Sequence, residues 1–119
     1  MKPKVAGDLR TQRRIFAMQC EVCKAMAHPL RLEIVERLGG AEVPAAALLA
    51  ELGVSRAVLS KHMALLVQAG IAEQRRQGRQ VFYALSHPDI RRACAIMRAV
   101  LYRRLERDRR LARALRRAR

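Results

Sequence analysis

The stretch LGVSRAVLSKHMALLVQAG, residues 52–70, decides the fold. Gly53 is a helix-ending glycine behind an apolar segment, Ala45 to Leu52. Ser55 is an N-cap that starts a further helix from Arg56 to Ala69, and Gly70 closes it. Within that helix Leu59, Met63 and Leu66 recur at gaps of four and three, so one face is built for a core. Two short helices joined by Gly53-Val54-Ser55 form a helix-turn-helix.

Upstream, Asp8 N-caps a first helix running to about Ala27. Two adjacent rows line it, Ile15, Gln19, Val22, Met26 and Phe16, Cys20, Cys23, Ala27. His28-Pro29 breaks this helix, and Pro29 suits the first turn of the next. That second helix holds Leu30, Ile34, Val35 and Leu38 and ends at Gly39-Gly40, while Val43-Pro44 opens the third. Downstream the period changes. Ile71 to Arg76 and Arg79 to Leu85 flank Gln77-Gly78, and Val81, Tyr83 and Leu85 alternate, which predicts a β-hairpin with glycine at its tip. Ser86-His87-Pro88-Asp89 reads as a capping box with Asp in the acidic position. A last helix follows, with Ile90, Cys94, Met97, Leu101, Leu105, Ala112 and Leu115 on one stripe. The expected fold is mainly α with a small β-hairpin, in the order α-α-α-α-β-β-α, a winged helix-turn-helix. One domain over 1–119 accounts for the chain, with an Arg-rich helical extension at about 103–119.

Composition narrows the function. At 119 residues and 51% hydrophobic, the chain suits a single folded domain, and its net charge is +15. Residues 103–119 hold nine Arg against two acids, a net of +7. Such a surplus fits an acidic polymer, because each Lys or Arg on a phosphate releases a counterion. Phe16, Phe82, Tyr83 and Tyr102 are the only aromatics, which argues against base-stacking platforms for single strands. No apolar run has the length of a membrane span, and Met1 to Arg10 lacks a signal-peptide stretch. A cytoplasmic protein with reduced thiols, no membrane association and no disulfide framework is therefore expected. No Ser/His/Asp set, phosphate-cradling glycine loop or carboxylate pair stands out, so an enzyme is not expected.

Double-stranded DNA is the partner that the motifs favour. A major groove admits one helix, whose first turn reaches the base edges. Here that turn and its outer face offer Ser55, Arg56, Ser60, Lys61 and His62. Arg56 suits a bidentate grip on guanine; Ser55, Ser60 and His62 suit phosphates or single hydrogen bonds. The hairpin adds Arg75, Arg76 and Arg79 around a tip small enough to follow a minor groove. The plain alternatives are that Lys61 is only solvated and His62 only serves local backbone. A rival of another class is a non-specific architectural coater of nucleic acid, driven by the Arg-rich end.

Residues 25–34, AMAHPLRLEI, resemble the "ALADPTRLRIL" stretch of the ArsR/SmtB family of bacterial repressors. LGVSRAVLSKHM at 52–63 resembles that family's recognition helix, Ala69-Gly70-Ile71 its end, and RRQGRQVFYAL at 75–85 its wing. The resemblance covers roughly residues 15–101; the Arg-rich end after about Leu105 has no counterpart in it. It implies a homodimer paired through the first and last helices on an imperfectly palindromic operator. It also implies repression without inducer and release when an inducer binds.

Cys20 and Cys23 are neighbours at i and i+3 on one helix, and Cys94 lies on the apolar stripe of the last. If those helices pack together, as the resemblance implies, the three thiols converge. Three thiolates match the pyramidal demand of As(III) or Sb(III), and Hg(II) or lead is also thiophilic. A closed zinc site wants four ligands and a second Cys pair that this chain lacks. The family's zinc or nickel site on the last helix needs paired Asp and His, whereas Asp89 here is followed by Arg91 and Arg92. No cofactor is obligatory; the metal is an inducer. The same thiols allow a sulfur or redox switch in which Cys94 links to Cys20 or Cys23, with Lys24, Arg91 and Arg92 expected to lower a thiol pKa. The plain alternative is cysteine as a small buried hydrophobe, which the row shared with Phe16 suits.

Overall fold

A computed structural model describes residues 4–118. Helix α1 spans Leu9–Met26, with the Asp8 carboxylate accepting from the Thr11 N–H at 2.9 Å. Helix α2 spans Pro29–Arg37, and its cap is His28, whose Nδ1 accepts from the Leu30 N–H at 3.1 Å. Pro29 thus sits where its missing N–H costs nothing. Helices α3, Ala45–Leu52, and α4, Arg56–Gln68, form the expected helix-turn-helix. Gly53 between them takes φ 65°, a left-handed conformation that glycine adopts without steric cost.

The sheet has three strands in the order β1-β3-β2, with β1 Val43–Pro44, β2 Ala72–Gln77 and β3 Gln80–Leu85. The alternation through Val81, Tyr83 and Leu85 produces the expected hairpin. Its loop is Gly78-Arg79, one residue later than Gln77-Gly78, because Gln77 pairs with Gln80. Gly78 takes φ 63° and, among the described residues, no non-glycine residue has positive φ, the pattern of a type II′ turn with glycine first. Val43-Pro44 does not simply open α3. It forms β1, antiparallel to Phe82-Tyr83, and Pro44 is also the N-cap of α3.

Helix α5 runs unbroken over Asp89–Arg117, 29 residues, and takes in the Arg-rich segment. The capping box expected before it does not form, since Pro88 is the N-cap and no side chain closes it. The Ser86 hydroxyl instead donates to the Gly70 carbonyl at 2.7 Å, and the His87 ring accepts from the Asp89 N–H at 3.1 Å. Ser86 is drawn there because its own N–H bonds to Ile71, tying the end of β3 to the end of α4.

The core lies between α2, α3, α4 and the base of the sheet. Ile34, Val35, Leu38, Leu48, Leu59, Met63, Leu66, Ile71, Ala72 and Tyr83 are buried. The expected inward face of α4 is therefore real. Helices α1 and α5 contain no buried residue. Phe16 is 51% exposed and Leu101 50% exposed. The α1 row carrying Phe16, Cys20 and Cys23 is thus not buried within one chain, because the described residues supply no further layer to cover it.

Candidate nucleic-acid interface

The first turn of α4 is held by Ser55, whose hydroxyl oxygen accepts from the Val58 N–H at 3.2 Å. Its proton stays free to donate outward. Arg56 and Ser60 lie on an exposed side of α4. Together with Gln74, Arg76, Arg79 and Gln80 of the wing they line a concavity of about 490 Å³, floored by Leu59, Val81 and Tyr83. Strand alternation explains why Gln74 and Arg76 share this side. Burial raises the Tyr83 phenol above its usual pKa, so the floor stays uncharged. Lys61 is exposed, about 100° further round the helix than Ser60.

Two expected DNA-contacting residues are engaged elsewhere. His62 points back toward the start of α2. Its Nδ1 lies 3.1 Å from the Arg31 guanidinium, and its ring centroid lies 4.5 Å from that of His28. The reason is helical phase: His62 is about 200° away from Ser60. Arg75 is on the opposite side of β2 from Arg76. Two of its nitrogens donate to the Glu42 carboxylate at 2.6 and 2.9 Å, a third to Gln77 at 2.9 Å, and its Cζ sits 4.5 Å over the Phe82 ring. The hydrogen bond to Arg75 lowers the Glu42 pKa and the same bond raises that of Arg75. The structure therefore leaves Arg56, Ser60, Arg76 and Arg79 together, Ser55 and Lys61 beside them, and His62 and Arg75 apart. It adds Gln74, which strand alternation places beside Arg76, and Gln80, which reaches the rim from the turn end of β3.

The cysteines are dispersed. Cys20 and Cys23 are exposed on α1, and Cys94 is half-buried on α5 against the core. Among the described residues no group of three His, Cys, Asp or Glu side chains is placed to hold a metal ion, so the three thiols do not meet within one chain. The expected cationic activation is also missing at Cys94. Burial pushes its thiol pKa up, outweighing the opposing pull of Arg98. Arg91 and Arg98 each reach Glu36 at 3.0 Å, Arg92 pairs with Asp89 at 3.5 Å, and Lys24 with Glu21 at 3.1 Å. Among the described residues no helix is long and apolar enough to cross a membrane.

A helix-turn-helix domain family matches residues 26–75. An uncharacterized HTH-type transcriptional regulator of Mycobacterium tuberculosis, Rv0081, is 33% identical over 90 residues, covering 75% of this chain and 79% of that protein. The crystal structure of Rv0081 superposes with a TM-score of 0.70, covering 79% of this chain and 95% of that one at 32% identity. The biofilm growth-associated repressor of Agrobacterium fabrum is 32% identical over 77 residues, 65% of this chain and 66% of that protein. The solution structure of Mb0332 from Mycobacterium bovis is a homodimeric winged helix-turn-helix DNA-binding domain, described as a possible ArsR-family transcriptional regulator. It superposes with a TM-score of 0.73 at 26% identity, covering 87% of this chain and 95% of that one.

Proposed function

Because the chain belongs to the ArsR/SmtB-type helix-turn-helix transcriptional regulators, we propose that it is a homodimeric cytoplasmic repressor. It grips two half-sites of duplex DNA and lets go when an inducer reaches its cysteine thiols. The observation that carries this reading is the shared concavity, in which Arg56 and Ser60 of α4 face Arg76 and Arg79 of the wing. A helix in the major groove presents its first turn to base edges, and Arg56 is there to take a guanine. Arg76 and Arg79 supply flanking phosphate contacts that set register.

Dimerisation is supported by the homodimeric relative and by the uncovered apolar surface of α1 and α5. Monomeric proteins rarely leave such extended patches open. A two-fold axis through those helices sets two copies of α4 about one helical turn, roughly 34 Å, apart on the duplex.

Inducer sensing rests on the same helices. With α1 and α5 at the seam, Cys20 and Cys23 of one protomer reach the partner's Cys94. Three thiolates there suit As(III), Sb(III) or Hg(II). A second reading, oxidation or polysulfide linkage of the thiols, is favoured by the exposure of Cys20 and Cys23. In either case the inducer binds the DNA-free shape better, and such couplings amount to about 1–3 kcal/mol.

The test is selection of a site from random duplex, then release titrated with arsenite, antimonite, mercury(II) and polysulfide. Wild type should protect a palindrome and be released. Cys94→Ser should bind the same DNA and resist release. Dependence on all three cysteines with metal or metalloid supports the first inducer; release by polysulfide alone supports the second. Unchanged release of Cys94→Ser by every inducer removes the sensing site.

A further inference from the structure

The C-terminal half of α5 carries a charged surface that the concavity leaves unused. At about 100° per residue, Arg103, Arg110 and Arg117 stack along one line of the helix, and Arg109, Arg113 and Arg116 along its neighbour. These guanidiniums share an arc of about 140°, and all are exposed. One acid lies inside it: Glu106, 4.0 Å from Arg109 and 3.6 Å from Arg110. Exposed pairs of this kind hold weakly, so the arc stays strongly positive. From Arg103 to Arg117 the helix rises about 21 Å, the axial span of about six base pairs.

We propose that this arc is a second duplex-binding surface, which lies against the sugar-phosphate backbone beyond the half-sites and reads no sequence. The proposal rests on the duplex-binding reading above. Three features select duplex phosphate. A second copy of the chain is disfavoured at this arc, where it would bring arginines against arginines, away from the apolar rows of the proposed seam. A lipid surface is disfavoured because the opposite arc, with Leu105, Leu111 and Leu115, is broken by Arg104, Arg107 and Asp108, which a bilayer would have to admit. No aromatic lies between Arg103 and Arg117, so nothing there stacks on unpaired bases. Guanidinium forks match phosphate geometry.

The test uses the full chain and a variant with all six arginines of the arc changed to glutamine. Glutamine and arginine have similar helix propensity, and circular dichroism with sedimentation checks that fold and assembly persist. Affinity for a random-sequence 60-base-pair duplex is measured across a series of salt concentrations. Each phosphate contact contributes about 0.9 to the slope of log K against log salt. The variant should flatten that slope by about 2 to 5 and bind more than tenfold weaker near physiological salt. Equal slopes in a wild-type chain that binds overturn the arc alone. A wild-type chain that ignores duplex at every salt concentration overturns the concavity reading as well. Vesicles of phosphatidylserine and phosphatidylcholine form the third arm: binding lost in the variant while the DNA slopes stay equal replaces duplex by membrane.

Discussion

The Nδ1 atom of His62 on α4 stands 3.1 Å from a guanidinium nitrogen of Arg31 on α2. A guanidinium only donates, so Nδ1 accepts and the neutral ring carries its proton on Nε2. Arg31 is fixed from the other side, its Nε donating to the Ala25 carbonyl at 2.6 Å. Burial first, and then the charges of His28, Arg31 and Lys61, hold the His62 pKa below 6.5. The unfolded chain therefore takes up a proton near pH 6.5 that the folded chain refuses until lower pH. Stability from this group is whole above about pH 6.5, falls as the pH drops toward the folded value, and levels off below it. Urea unfolding at pH 7.5 and 5.5 should show wild type less stable at the lower pH. In His62→Gln that difference should shrink. Glu36 and Glu42 have pKa values lowered from 4.5, so their loss comes at lower pH still.

Arg75 and Arg76 are adjacent in sequence and opposite in role. Because Glu42 occupies Arg75, Arg75→Gln should change duplex affinity less than about threefold. Arg76→Gln and Arg79→Gln should each reduce the salt slope by about one phosphate's worth. Glu42→Gln frees Arg75 and should steepen the slope by at most about one. Fluorescence anisotropy against labelled duplex over a salt series measures all four.

Leu66 is 0% exposed and joins α4 to the core, whereas Val58 on the same helix is 39% exposed. Leu66→Ala should cost about 2–5 kcal/mol in chemical denaturation. Val58→Ala should stay within about 0.5 kcal/mol.

Leu101 stands on the open face of α5. Leu101→Glu puts a carboxylate into the proposed seam, and sedimentation should report a monomer. Each monomer then holds one half-site without the effective concentration that linkage supplies, so affinity for the palindrome should fall about 100-fold or more. Circular dichroism should stay near wild type.

Local chemistry in the sequence was enough to foresee most of the fold. Asp8, Ser55, Gly53 and Gly78 act on neighbours within four residues, and their effects are as expected. Strand β1 was missed because two residues carry no period; its pairing depends on Phe82 and Tyr83, far along the chain. The concavity was half legible. Arg56, Ser60, Arg76 and Arg79 follow from helix and hairpin phase. The engagement of His62 by Arg31, 31 positions away, and of Arg75 by Glu42, 33 positions away, needs tertiary placement. Likewise the Ser86 hydroxyl had two acceptable uses, and only the position of Gly70 chose between them.

Strand β2 bonds to β3 on one side and is open on the other. Its backbone therefore offers an unsatisfied ladder to any passing extended segment, the usual route to self-association and amyloid-like growth. Glu73, Arg75 and Arg76 are exposed along that strand, and charge there discourages strand addition. Arginine on the wing thus guards solubility, apart from the phosphate contacts proposed for it. A variant that neutralises this strand should drift toward precipitation, whatever that change does to the operator binding proposed above.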